Sequence, residues 1–366
     1  MKSLAIIGST GSIGNSALKV FEKNKGKFKL ICLAANTNVK KLSRQASKYK
    51  PLSSVIIDNN IKKVNNILSI DNFLKKQNKK IDYVISGISG FEAININLKL
   101  LKISKNLLIA NKETIICGGH IFTKLAKKNN CKIVPIDSEH YCINFFINNF
   151  NLKNFIDKIY ITASGGPFLN KKIKQNQSIQ SVINHPIWKM GNKISVDSST
   201  FANKVLELFE AKVLFDLSAE KIKMLVEQKS NVHAVIKIKN NLYFPIIHKP
   251  NMQVAISNSL NVPNNFKINI DNLNIKFSKP NLRKFPIIKL GLSILRNYGH
   301  PGMIFFTVLN ERLVKMFLNK DIKYGEIPKI LVKAFDSKKI INKSNNKLSN
   351  IKDILKFIDY AKNLKI

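Results

Sequence analysis

Short apolar runs alternate with helically spaced stretches through the first third of the chain. Residues 4–7 are apolar and lead directly into Gly8-Ser9-Thr10-Gly11-Ser12-Ile13-Gly14. Beyond that turn Ala17, Leu18 and Phe21 share one side of a helical wheel, with Lys19, Glu22 and Lys23 on the other. Apolar runs at 30–35, 55–57, 83–85 and 107–109 read as further strands separated by helices, and 133–136 closes the series. Continuous apolar strands alternating with helices predict βαβ units and a parallel sheet covered on both faces. From about residue 151 the pattern changes: 159–163 and 232–238 read as strands of a second sheet, and 199–214 as one strong helix. Residues 262–284, rich in Asn, Lys and Pro with little periodicity, read as a linker. From 285 the spacing is helical again, through Ile287, Leu290, Ile294 and Leu295, then Val308, Leu309, Leu313, Met316 and Phe317.

Composition narrows the class. With 366 residues, 45% apolar and 23% charged, the chain is globular rather than disordered. Single cores stop growing near ~250–300 residues, so two or three domains are expected. The net charge of +39 would ordinarily suggest nucleic acid or an anionic membrane. Only four of the 61 cationic residues are arginines, however, and arginine supplies the fork that reads phosphate and guanine. The lysines are dispersed among asparagines and isoleucines, so the charge reads as a tolerant surface and no specific nucleic-acid partner is expected. Cys32, Cys117, Cys131 and Cys142 show neither C-x-x-C nor zinc spacing and read as buried, reduced thiols. No apolar run approaches the ~18 residues that span a bilayer, and residues 1–8 offer no signal peptide. No membrane partner and a cytoplasmic location are expected.

Five segments bear candidate chemistry. The Gly8-x-x-Gly11-x-x-Gly14 turn, between strand and helix, lets backbone approach a pyrophosphate at a helix N-terminus. The second strand ends in Asn36-Thr37-Asn38 without an acid, and Lys40-Lys41 follow, which favours the 2′-phosphate of NADP. Asp137-Ser138-Glu139 follows a strand, where alternation would turn both carboxylates to one side; a lone D-x-E is more often a solvated loop. Asn203, Lys204 and Glu207 share one side of a helix, an arrangement that by itself reads as a merely solvated face. With the first two carboxylates, Glu207 would complete an all-oxygen site for a hard divalent ion. Ser164-Gly165-Gly166-Pro167 can cradle a phosphate on backbone amides or simply end a strand. His185 to Gly191 holds the sole tryptophan, Trp188, as a loop that covers a ligand or as core packing.

In their order and spacing these segments closely resemble the 1-deoxy-D-xylulose 5-phosphate reductoisomerase family. The resemblance runs through the glycine turn, Ala110-Asn111-Lys112-Glu113, Pro135 to His140, Ser164 to Phe168, His185 to Ser198, Asn203-Lys204-x-x-Glu207 and Glu210-Ala211. It implies an α/β fold with a Rossmann-like NADPH domain at 1–137, a catalytic α/β domain at 138–261, a linker at 262–284 and a C-terminal helical bundle at 285–366. It implies a homodimer, a phosphosugar substrate, NADPH and a divalent cation (Mn2+, Mg2+ or Co2+). By the likeness, Asp137, Glu139 and Glu207 hold the metal, and with Lys112 and His185 form the catalytic set. Substrate would meet Lys112, Ser138, Glu139, Ser164, His185, Ser198, Asn203, Lys204 and Glu207. NADPH would meet Thr10, Gly11, Ser12, Ile13, Asn36, Asn38, Asn111, Glu113 and Gly191. Trp188 and Met190 belong to a flap over the substrate, and His233 lies near it. The chain departs from the family pattern at Glu227-Gln228-Lys229-Ser230, where the family carries His-Pro-Gln-Ser. Two other readings set limits on this one: a semialdehyde dehydrogenase built on an activated cysteine such as Cys117, and a nucleic-acid binder driven by charge.

Overall fold

The structure is a computed structural model, of which residues 1–58, 67–336 and 348–364 are described here. Parts of the expected first domain (59–66) and of the expected C-terminal bundle (337–347 and 365–366) lie outside the described residues.

Seven parallel strands form the first sheet: β1 (Lys2–Ile7), β2 (Phe28–Ala35), β3 (Ser53–Ile56), β4 (Ile67–Ser69), β5 (Ile81–Ser86), β6 (Ser104–Ile109) and β7 (Lys132–Pro135). Their order is β4-β3-β2-β1-β5-β6-β7. Leu4, Ala5, Ile6 and Ile7 are wholly inaccessible, as a central strand with both faces covered requires. Strand order reverses between β1 and β5, and the crevice beyond such a reversal is where parallel α/β sheets bind ligands. Helices α1 (Ser12–Lys23), α2 (Val39–Tyr49), α3 (Ile70–Lys75), α4 (Glu92–Ile103) and α5 (Lys112–Lys128) connect successive strands. Helix α6 (Ser138–Phe150) follows β7. Strand β4 went unpredicted, because its three residues are only partly buried and carry no apolar run.

The second sheet has four strands, β8 (Ile156–Ala163), β9 (Ile222–Val226), β10 (Val232–Ile238) and β11 (Tyr243–Ile247), ordered β11-β10-β8-β9. β8 and β9 run parallel, while β10 is antiparallel to both β8 and β11. The helix expected over 199–214 is in fact two. Helices α7 (Ile179–Ile183) and α8 (Asn192–Thr200) precede Phe201, and α9 (Ala202–Phe215) follows it. Phe201 interrupts the run with a left-handed backbone, φ 66°, while its buried ring packs 4.5 Å from that of Phe285. A left-handed phenylalanine is rare, so periodicity alone carried the pattern across the break. Pro286–Asn297, Gly299–Leu318, Glu326–Phe335 and Ile351–Asn363 are helical. Between 262 and 284 there is neither helix nor strand, only an isolated bridge from Ser278 to Val226.

By packing, the chain divides into two compact units. One comprises Met1–Thr114, Phe122–Tyr141 and Asn251–Phe266; the other comprises Ile115–Ile121, Cys142–Pro250 and Lys267–Ile366. Ile256, Leu260 and Val262 join Leu4, Leu18 and Phe21 in the core of the first unit. No helix among the described residues is long and apolar enough to cross a membrane.

Candidate active site

In the first unit the glycine turn is dictated by crowding. Gly8 has φ +85°, and a Cβ there would lie 2.8 Å from the Gly87 backbone at the end of β5. A Cβ on Gly14 would sit 2.3 Å from the Gly8 carbonyl. Side chains at either place would force the turn off the sheet. Gly11 is the N-cap of α1 and supplies no side-chain cap, and no acid stands in the first turn. The α1 N-terminus is thereby left to its own amides and positive dipole end, which suits a pyrophosphate. Thr10, Gly11, Ser12 and Ile13 line this turn, Gly11 and Ser12 being exposed.

The end of β2 divides the expected adenosine-side residues. Asn36 is exposed, whereas Asn38 caps α2 by accepting from the Lys41 N–H at 3.0 Å. The Lys41 ammonium crosses to the Thr10 carbonyl at 2.7 Å, placing a cation beside the turn. Lys40 is exposed.

Asn111 and Lys112 begin α5 at the end of β6. Asn111 caps the helix through the Thr114 N–H (2.7 Å) and donates to the Glu113 carboxylate at 2.7 Å. At the end of β7, Asp137 does not continue a strand. Its carboxylate accepts from the Ser138 N–H at 3.1 Å, and α6 starts there, with Glu139 in the first turn. The expectation that strand alternation aligns Asp137 and Glu139 is therefore corrected: a helix start does so, and its dipole favours both negative charges. The Lys112 ammonium pairs with Asp137, and the Ser138 hydroxyl donates to Glu139. His140, fully buried, places Nδ1 3.5 Å from Asp137. Burial pushes the Asp137 carboxyl up, but Lys112 and then His140 outweigh it and hold the group well below the usual carboxylate range.

The second unit brings together the remaining candidates. Ser164 leaves β8 into Gly165 and Gly166, both at positive φ. A Cβ on Gly166 would lie 2.8 Å from the Ser198 carbonyl, so this loop is seated closely on the end of α8. Helix α9 carries Asn203, Lys204 and Glu207. Asn203 donates to one Glu207 oxygen at 2.6 Å, and Lys204 reaches the other at 2.5 Å. Glu207 is 1% exposed and Lys204 8%. The solvated-helix reading fails here, since nearly every residue of α9 faces protein. His185 Nε2 lies 3.2 Å from the Ser164 hydroxyl, and Nδ1 faces the N–H groups of Ile187 (3.1 Å) and Trp188 (3.0 Å). Two donors at Nδ1 place the imidazole proton on Nε2, where it donates to Ser164. Burial, then the Lys204 charge, lowers His185 to about 4, so the ring is neutral near pH 7. Trp188 and Met190 are half-buried beyond it, and exposed Gly191 is the N-cap of α8.

Several partners escaped the sequence reading. Asp197, buried next to Ser198, is held by Asn310 (2.7 Å) and Lys193 (3.1 Å). Tyr324 donates to Ser199 at 3.0 Å. Only the Lys193–Asp197 spacing was visible in advance; Asn310 and Tyr324 are more than 100 residues away. Cys117 is wholly buried and the other cysteines are buried too, and burial raises the thiols of Cys32 and Cys131, the latter to about 11. An activated-cysteine enzyme is not supported.

A parallel sheet with a glycine-cradled turn at its switch point, in one chain with a unit bearing buried lysine, carboxylate and hydroxyl groups, defines a dinucleotide-dependent oxidoreductase. Comparison with known proteins gives the particular family. Residues 4–119 match the family profile described as 1-deoxy-D-xylulose 5-phosphate reductoisomerase. Residues 133–215 and 247–364 match profiles of that enzyme's C-terminal domains. The reductoisomerase of Pelagibacter ubique is 38% identical, covering 99% of this chain and 98% of its own; that of Clostridium novyi is 36% identical over 97% and 96%. Among solved structures, a DOX-P reductoisomerase in complex with NADPH, fosmidomycin and magnesium superposes with TM-score 0.89 at 30% identity, covering 99% of this chain and 97% of that one. The Zymomonas mobilis enzyme in complex with NADPH gives TM-score 0.85 at 26% identity, over 99% and 97%. The chain belongs to the 1-deoxy-D-xylulose 5-phosphate reductoisomerase family.

Proposed function

We propose that this chain rearranges 1-deoxy-D-xylulose 5-phosphate to a branched aldehyde and reduces it with NADPH to 2-C-methyl-D-erythritol 4-phosphate, in the non-mevalonate route to isoprenoid precursors. The observation that carries this reading is the family match along nearly the whole chain, supported by the sequence motifs that carry Asp137, Glu139, Lys204 and Glu207. NADPH fits the turn at Thr10 to Ile13, which glycines at 8 and 14 let pack closely on itself and the sheet, and where Lys41 supplies a cation. Asn36, Asn38, Asn111, Glu113 and Gly191 complete its contacts, Asn38 through its backbone because its side chain caps α2.

Asp137, Glu139 and Glu207 would hold a divalent cation, Mn2+, Mg2+ or Co2+; the all-oxygen donor set suits a hard ion. When bound, that ion supplies Lewis-acid polarisation of the substrate's carbonyl and hydroxyl oxygens. Lys204, Asn203, Ser164 and Ser198 bind the phosphate, and neutral His185 orients the Ser164 hydroxyl from Nε2. Lys112 and Ser138 orient the substrate hydroxyls. Trp188 and Met190 cover the bound molecule and exclude water. The working division of labour is 1–137 for NADPH, 138–261 for catalysis and 285–366 for the helical bundle, joined by 262–284.

We assign a homodimer to the exposed apolar end of the second sheet. Phe155, Leu242 and Tyr243 are each more than half exposed there beside edge strand β11, and the ring of Phe146 on α6 lies 5.2 Å from those of both exposed Phe150 and Phe244 of β11. Such a patch on an unpaired edge invites a second copy. A cytoplasmic location accompanies this reading.

NADPH oxidation in the presence of 1-deoxy-D-xylulose 5-phosphate, with and without Mg2+ or Mn2+, tests the activity. Turnover that stops on chelation and is absent in Glu207→Gln is expected. Metal-independent turnover, or none in folded protein that binds NADPH, contradicts the proposal.

A further inference from the structure

Strand β9 ends at Val226, which lies opposite Ala163 in the parallel register with β8. Glu227 and Ser164 therefore leave the sheet side by side. The Glu227 N–H closes on the Ala163 carbonyl at 2.9 Å, while its carboxylate folds back over the residues that follow. One oxygen accepts from the Lys229 N–H at 3.0 Å, and the other from those of Asn231 at 2.7 Å and Val232 at 3.2 Å. Glu227 is 2% exposed. Three backbone donors on one buried carboxylate satisfy groups that would otherwise be costly to bury, and they close 227–232 into a fixed turn.

At the crest of that turn Ser230 has a left-handed backbone, φ 56°. Its hydroxyl accepts the indole N–H of Trp188 at 3.1 Å. The same turn is tied to the strand-end loop on its other side, where Asn170 donates to the Gln228 amide oxygen at 3.2 Å. Trp188 is thus held at two points: its backbone N–H on His185 Nδ1 and its ring N–H on Ser230.

We infer that Ser230 is the latch of the Trp188 flap and that Glu227 is the positioning residue that builds the latch. Glu227 touches no reacting group. It acts by presenting the Ser230 hydroxyl to the indole N–H of Trp188, whose backbone is anchored on His185. This deepens the proposed function and rests on reading Trp188 as the cover of the substrate site.

Trp188 is the only tryptophan, so its emission reports the latch without substrate. Ser230→Gly removes the hydroxyl and relieves the left-handed backbone, so the fold is retained or stabilised. Its emission is expected to shift to the red and to be quenched more readily by acrylamide. KM for 1-deoxy-D-xylulose 5-phosphate should rise about fivefold, the worth of one hydrogen bond, with kcat within about twofold. Glu227→Ala should give the same emission change, and Glu227→Gln, which keeps one acceptor oxygen, a smaller one. Unchanged emission in Ser230→Gly overturns the latch even if Glu227→Ala fails to fold. A shifted emission with unchanged KM overturns its part in holding substrate. A shifted emission in a protein whose parent form shows no turnover leaves the latch standing and removes the reductoisomerase reading.

Discussion

Lys112 with Asp137 and Lys204 with Glu207 are the same chemical pair in two settings. The first joins residues 25 apart, delivered by the ends of neighbouring strands β6 and β7; the second spans one turn of helix α9. In the first, both side chains keep some solvent, and the Glu139 carboxylate stands two residues beyond Asp137. In the second, both are nearly inaccessible. The first pair is thus open to exchange with solvent, and the second is shielded from it. Burial, not residue type, sets how much each pair matters to the fold.

Removing the cation from each pair should break the symmetry most visibly. Lys204→Met leaves the nearly inaccessible Glu207 carboxylate with its Asn203 bond but without the Lys204 charge, and is expected to cost about 3–5 kcal/mol in urea denaturation. Lys112→Met leaves Asp137 with partial solvent, the Ser138 N–H and His140, and is expected to cost about 1 kcal/mol. Equal losses would mean that the two settings do not differ as described.

A second, smaller effect follows from His185 beside Lys204. Its native pKa of about 4 lies below the ordinary 6.5, so between those values the unfolded chain binds a proton that the native chain refuses. Stability contributed by this ring is fully present above about pH 6.5 and is lost as pH falls toward 4. The loss reaches up to about 3 kcal/mol. Protonation also removes the Nδ1 acceptor that holds the Ile187 and Trp188 amides. Denaturation midpoints measured from pH 7 to 4 should fall less steeply in His185→Asn than in the parent. Parallel curves would remove His185 as the cause.

The smallest effect is expected at Lys41, an ammonium held by a backbone carbonyl rather than a carboxylate and so the counterpoint to both pairs. Lys41→Gln should weaken NADPH binding by about fivefold and leave NADH binding unchanged. Equal weakening of both cofactors would take Lys41 away from the 2′-phosphate.

The contrast also explains what could be read in advance. Gly8 and Gly14 were legible because steric exclusion is written in the residue type. Asn203, Lys204 and Glu207 were legible as one helix face, but not as buried, since a solvated face has the same spacing. Asp137 and Glu139 were found by proximity in sequence, yet for the wrong local reason, because the strand-to-helix change at Ser138 leaves no apolar signature. Phe201 hid a helix break, since no propensity foretells a left-handed phenylalanine that packs on Phe285. Strands β9 and β11 were not seen in the sequence: β9 is short and only alternately buried, and β11 is an exposed edge interrupted by Pro245. Asn310, Tyr324 and the Ser230–Trp188 bond are tertiary facts with no local trace.

The central claim is that one divalent cation is shared by Asp137, Glu139 and Glu207. Titration of Mn2+, read by the resonance of the free ion, tests it most directly in the parent protein, Asp137→Asn and Glu207→Gln. One ion per chain in the parent, and affinity weakened at least about tenfold in both variants, is the expected result. Parent-like binding by Glu207→Gln would place the ion on the first pair alone and contradict the account.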